Sequence, residues 1–189
     1  FKDRRKFRRW LSECTAEIFP HTPRINNEIV NRNKPSAPVV NARKKLIEGV
    51  LESNGEEFFN LKDRPDIGAA VVGLARGLYE RPGLYIKKGQ RWKFAKSKSI
   101  DDEGLRSAWA CIEDFMTKKS KEPKPFESLL NELQSPPYGI RSGMLPILLA
   151  GGLKAFPVST VLLCDDRYVV DLTPTVVETI CKEPEKFTL

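Results

Sequence analysis

The chain has 189 residues, of which 40% are hydrophobic, so it can form one large domain or two small ones around a real core. Its formal net charge of +7 favours an acidic partner, with nucleic acid the first choice, an acidic protein surface the second and an anionic membrane the third. The longest apolar run falls far short of the ~20 residues that a membrane-spanning helix needs, so we expect a soluble protein.

The cysteines exclude two further classes of protein. They are widely scattered without a C-x-x-C pair, and the chain has a single histidine, His21, so neither a zinc site nor a disulfide framework is expected. We predict reduced, mostly buried thiols in a cytoplasmic protein. The chain opens with Phe1 and lacks an apolar signal core, which we interpret as the start of a piece of a longer protein.

Residues 1–18 predict a basic amphipathic helix, with apolar side chains at helical spacing and cations crowded near its start. These cations could contact phosphates, or they could form an ordinary solvated helix face, which is the commoner role. The cations that we name as candidate contacts are Arg4, Arg5, Arg8 and Arg9.

A helix-turn-helix outline follows. Residues 25–32 predict a short helix, residues 33–35 a turn, and residues 36–53 a longer helix with Pro38 in its first turn. The outer face of the longer helix carries residue types that read base edges and phosphates, although lysine and arginine also coat many ordinary helices. These residues are Asn41, Arg43, Lys44 and Lys45.

A third helix is predicted at 67–79, and alternating residues at 84–94 predict a hairpin. A hairpin directly after three helices is typical of the wing of a winged helix. Trp92 and Phe94 are expected in the core rather than as stacking platforms, and a polar linker at 95–100 marks a domain boundary. The candidate phosphate contacts of this wing are Lys87, Lys88, Arg91 and Lys93.

The second half repeats this order. A helix capped by Asp101 or Asp102 is followed by a short helix near 126–133, an apolar helix within 136–156 capped by Ser142, a hairpin at 161–170 and a last helix from Thr173. The 136–156 helix is apolar on every side between residues 144 and 150, so other elements must enclose it. The predicted fold is mainly α with two small β-hairpins, arranged as tandem winged-helix-like units: an N-terminal entry at 1–35, a first unit at 36–98 and a second at 99–189.

Catalytic chemistry is not expected. The one adjacent carboxylate pair, Asp165 and Asp166, falls at a hairpin tip, and Cys164 could act as a nucleophile only if His21, the sole histidine, lay beside it. We therefore assign no catalytic, cofactor-binding or metal-binding residue.

Four stretches, in the same order along the chain, resemble a region of very large bacterial ATP-binding proteins from phage-defence islands of the BREX and related types. They are FPHTPRINNEIVNR at 19–32, ARKKL at 42–46, PPYGIRSGMLPILL at 136–149 and KEPEKF at 182–187. The region they resemble follows the P-loop ATPase core. The resemblance implies a non-catalytic, winged-helix-like part of a defence ATPase that engages nucleic acid or assembles with partner subunits. No Walker motif is present here, so ATP hydrolysis does not carry over to any residue of this chain.

Two functional hypotheses follow. In the first, the chain binds duplex DNA weakly, with little sequence preference, through its basic helix and wing residues. In the second, it is a protein-docking module that assembles the defence complex without contacting nucleic acid, which would leave an exposed apolar patch for the partner. Clustered lysines and arginines favour the first hypothesis, and dispersed ones favour the second.

Overall fold

The computed structural model describes residues 3–25, 27, 30, 36–62, 64–120, 122–156 and 161–189. As predicted, these residues are mainly helical and include two small antiparallel sheets. The predicted short helix at 25–32 and the turn at 33–35 lie largely outside the described residues. The described α-helices are α1 (Arg4–Ile18), α2 (Ala37–Glu52), α3 (Ala69–Ala75), α4 (Glu103–Thr117), α5 (Phe126–Gln134), α6 (Leu145–Ala155) and α7 (Pro174–Lys182).

Both sheets are short. The first pairs β1 (Tyr85–Lys88) with β2 (Arg91–Phe94), and the second has the order β4–β3–β5, formed by β3 (Leu163–Cys164), β4 (Arg167–Tyr168) and β5 (Phe187–Thr188). The β3–β4 hairpin turns at Asp165 and Asp166, whose φ angles of 47° and 61° are those of a type I′ turn. Strand β5 was not predicted, because two residues are too few to show an alternating pattern.

Helix α6 lies at the centre of the molecule, as its all-round apolar sequence predicted. Every residue from Leu145 to Gly152 is buried, and the helix contacts α2, α4, α7 and β2. Gly152 permits the close approach of α4, since a Cβ there would lie 2.4 Å from Ile112 Cγ2. The predicted cap at Ser142 is wrong. The helix begins after Met144 without a side-chain cap. The Met144 carbonyl accepts the Ile147 and Leu148 N–H groups at 3.1 and 3.0 Å, and Pro146 in the first turn has no N–H of its own.

Helices α2 and α4 bury the apolar stripes that their spacing predicted, whereas α1 leaves the apolar side chains of its stripe exposed, among them Leu11 and Ile18. Helix α2 buries Ala42, Leu46, Ile47 and Val50, while α4 starts where the Asp102 carboxylate accepts the Leu105 N–H at 2.7 Å. Helix α3 begins at Ala69, two residues later than predicted, and continues as one π-helical turn over Arg76–Glu80.

The two predicted units share one hydrophobic core. Buried side chains from both sides of the 95–100 linker belong to a single cluster, and α2 contacts both α6 and α7. The β1–β2 hairpin is fixed to this cluster by Phe94, whose ring stacks on the fully buried indole of Trp109 at 5.7 Å between centroids. The hairpin therefore has a rigid base in the core.

Candidate nucleic-acid interface

The β1–β2 hairpin presents one basic face. In its register Lys88 lies opposite Arg91 and Ile86 opposite Lys93, so these four side chains project from the same side of the ribbon. Tyr85 occupies the other side and is buried. The loop is two residues long, and the left-handed φ of Gly89, 66°, is typical of the first position of a type II′ turn. The sequence thus places three cations side by side.

These cations are exposed and form no ion pair with any other residue that the structure describes. Lys87, Lys88, Arg91 and Lys93 are all solvent-exposed, and none takes part in an ion pair within the described part of the chain. Like charges directly opposite each other on a sheet destabilise it. Repulsion between Lys88 and Arg91 therefore destabilises the hairpin, and a bound anionic ligand would offset that repulsion.

Beneath the cations, the hairpin rests on a column of aromatic rings. Phe59 stacks on Tyr85 at 4.2 Å with an interplanar angle of 29°, and Tyr85 stacks on Trp92 at 5.8 Å and 24°. Phe59 reaches this position from a turn in which Phe58, Phe59 and Asn60 all adopt left-handed φ angles of 50° to 56°. Non-glycine residues rarely adopt this conformation, so tertiary packing must hold the turn in place.

A cleft of about 300 Å³ lies beside strand β2. Its edge is fixed where the Trp92 N–H donates to the Gly55 carbonyl at 2.8 Å. Trp92 and Phe94 contact the core, as predicted, but both also line the cleft, and Trp92 is only half-buried. The lining combines cations with aromatic surface: Asn54, Arg91, Trp92, Lys93, Phe94 and Lys154 are among its residues.

Two of the groups around the cleft have structural roles. Lys154 donates from Nζ to the Leu51 carbonyl at 2.7 Å, which satisfies a free carbonyl at the end of α2. The Glu56 carboxylate accepts the Asn54 N–H at 2.7 Å, and this bond is the main cause of the lowered pKa of Glu56. Lys154 was not among the predicted site residues. Its place in the last turn of a helix does, however, indicate a contact with the free carbonyl groups of a helix end.

One predicted contact residue on α2 is buried in an ion pair instead of facing solvent. Arg43 forms a bidentate ion pair with Glu178 of α7, with Nε–Oε1 and Nη2–Oε2 distances of 2.6 and 2.7 Å. Only 13% of the Arg43 side chain and 6% of the Glu178 side chain are exposed. The prediction that Arg43 lies on an outer, groove-facing surface is wrong, because a buried carboxylate 135 residues away binds its guanidinium.

The remaining α2 candidates differ from one another. Asn41 is exposed and Lys44 is half-buried, and neither belongs to an ion pair among the described residues. Lys45 contacts the Asp66 carboxylate at 3.1 Å, and this bond, followed by that from Arg64, lowers the pKa of Asp66. Asn41 and Lys44 are therefore better placed than Lys45 to meet a ligand.

Helix α1 exposes its basic residues as predicted. Arg4, Arg5, Arg8 and Arg9 all lie on the solvent-exposed surface of α1, which has no buried residue. The structure therefore places three hairpin cations on one face of a ribbon, while the α1 and α2 candidates are carried by separate helices.

The groups that we considered for catalysis are placed as turn or packing residues. Asp165 and Asp166 form the β3–β4 turn, and the His21 main chain donates to the Pro137 carbonyl at 3.0 Å. Within the described ranges, no three His, Cys, Asp or Glu side chains are grouped so that they could hold a metal ion.

Two of the four cysteines should be poor nucleophiles. Burial raises the pKa of both Cys111 and Cys181 to about 12, and the thiolate is the reactive form. We expect iodoacetamide at pH 8 to label both far more slowly in the folded chain than in denaturant, as followed by peptide mass spectrometry. Equal rates in the two conditions would contradict the burial of these thiols.

Comparison with known proteins gives no match: no family model, no curated protein and no solved structure is similar to this chain. Among the described helices, none combines the length and the apolar composition needed to span a bilayer.

Proposed function

We propose that this chain is a non-catalytic, winged-helix-type module that binds duplex DNA. The observation that carries the proposal is the basic face of the β1–β2 hairpin, where Lys88, Arg91 and Lys93 are exposed, adjacent and without described carboxylate partners. On this proposal the hairpin is the wing, and the helix before it, α3 with its π-helical turn, stands in the position of the third helix.

The spacing of the cations supports phosphate contact. Residues two apart on a strand are separated by about 7 Å, which is on the scale of the distance between neighbouring phosphates along one DNA strand. Lys87, the α1 arginines, Asn41 and Lys44 remain predicted contacts outside this face.

The resemblance to the post-ATPase region of phage-defence proteins supplies a biological setting for the proposal. A module of this kind would bring DNA to a larger cytoplasmic defence complex. The second half would then contribute packing, because the buried helix α6 has no polar face with which to read a groove.

The test measures the affinity of this chain for a 20-base-pair duplex of random sequence, by fluorescence anisotropy over a range of salt concentrations. We expect binding to weaken steeply with salt, since each neutralised phosphate releases counterion. Replacing Lys88, Arg91 and Lys93 together with glutamine should weaken binding and reduce the slope of log K against log salt by about 3, one per cation.

The matched control removes the same charge from the second half, by changing Lys119, Arg167 and Lys182 to glutamine. All three are exposed and lie outside the hairpin. An unchanged slope in this control assigns the effect to the hairpin face rather than to net charge. An equal fall in both variants, or no binding by the wild type at low salt, would reject the proposal.

One observation favours protein docking as the second candidate function. Helix α1 exposes large apolar side chains, with Leu11 49% and Ile18 53% exposed, and such surfaces are typical of contacts with another protein. A chain that binds no DNA at low salt but is retained by the neighbouring domains of the defence ATPase would support this alternative.

A further inference from the structure

Trp92 belongs to two structural features that are separate from the basic face of the hairpin. It ends the stacked column Phe59–Tyr85–Trp92, whose neighbouring rings are within 30° of parallel. It also lines the cleft beside β2 while remaining half-buried. Phe59 and Tyr85, the inner members of the column, are buried, so the column runs from the core to the cleft.

The chemistry of the cleft fits one nucleotide. Aromatic side chains stack on nucleobases of any sequence, and the cations Arg91, Lys93 and Lys154 line the same cleft as the Trp92 indole. A volume of about 300 Å³ is at the small end of ligand sites, large enough for one planar base and too small for a base pair.

We infer that the cleft receives an unpaired nucleotide next to the bound duplex, with its base stacked on Trp92 and its backbone continuing from the duplex phosphates held by Arg91 and Lys93. This inference rests on the proposed function and names its substrate class as DNA in which a duplex adjoins unpaired bases. The bases of an intact duplex are stacked on one another, so only a tail or an extruded base can enter the cleft.

The experiment compares a blunt 20-base-pair duplex with the same duplex carrying a three-nucleotide thymidine tail on either its 5′ or its 3′ end. We expect at least one tailed duplex to bind roughly tenfold more tightly than the blunt one, the scale of one stacked base. Trp92→Leu should abolish the preference, so that the variant binds the tailed and the blunt duplex with equal affinity. Trp92→Phe, which keeps a ring, should retain most of the preference.

The matched control is Trp10→Leu, the same substitution at a 47% exposed indole on α1, and it should leave the preference intact. Loss of the preference in this control would place the tail on α1 and overturn the inference. A second readout needs no change in the cleft: in a Trp10→Phe chain, the two remaining tryptophans are Trp92 and the fully buried Trp109. The tailed duplex should then quench tryptophan fluorescence more than the blunt one.

The outcomes separate the two proposals. Equal binding of tailed and blunt duplexes, or a preference that survives in a folded Trp92→Leu chain, would overturn the cleft inference and leave the hairpin as a duplex-binding surface. If neither DNA binds at low salt, both proposals fail. Far-UV circular dichroism of each variant verifies that it is folded.

Discussion

Changing Trp109 to alanine is expected to lower the free energy of unfolding by about 3–5 kcal/mol, the range for deleting a buried large aromatic side chain. Its indole is fully buried, stacks on Phe94, contacts the tilted ring of Phe156, and donates from Nε1 to the Ala95 carbonyl at 3.1 Å. Alanine would leave a cavity at the base of the hairpin and an unsatisfied carbonyl beside it.

The measurement is urea unfolding followed by far-UV circular dichroism, which does not depend on tryptophan emission. Trp10→Ala is the matched control, because the same side chain is removed from an exposed position on α1. A loss of stability at Trp109 no larger than that at Trp10 would contradict the central position of this residue.

Replacing Glu178 with alanine is expected to destabilise the chain by about 3–5 kcal/mol, since it leaves the Arg43 guanidinium buried without its counter-charge. The pair joins α2 to α7, so the loss falls on the contact between the first and second halves. Urea unfolding gives the free-energy difference.

Two further variants are needed to interpret this result. The Glu183–Lys186 pair has the same 2.6 Å separation but is exposed, so Glu183→Ala should have little effect. The double variant Arg43→Met with Glu178→Leu should recover most of the stability, because apolar side chains of similar size replace both charges at once. Failure of the double variant to recover would mean that the geometry of the pair, rather than an unpaired charge, is what α2 and α7 require.

Local sequence patterns predicted much of this fold. The apolar stripes of α2 and α4 repeat at helical spacing, and the alternation in 84–94 matches the β1–β2 hairpin. The turn at Asp165 and Asp166 was also predicted, because short polar side chains tolerate left-handed backbone. Each of these signals is contained within about fifteen residues.

Features that depend on distant partners could not be predicted. The sequence around Arg43 gives no sign of Glu178, so a buried arginine looked like a surface one. The left-handed turn at Phe58 and Phe59 contradicts the preferences of aromatic residues and exists only because packing enforces it. For the same reason the column under Trp92, and with it the cleft, became visible only in three dimensions.

The rigid base of the hairpin also affects the thermodynamics of any complex that it forms. A two-stranded ribbon alone in water is marginally stable, and a synthetic peptide with the same charges would lose much of its conformational freedom on meeting a ligand. Here the stacking of Phe94 on Trp109 has already ordered the strands during folding. The entropic cost of shaping the surface is thereby moved from association to folding, which is how preorganised surfaces gain affinity without additional contacts.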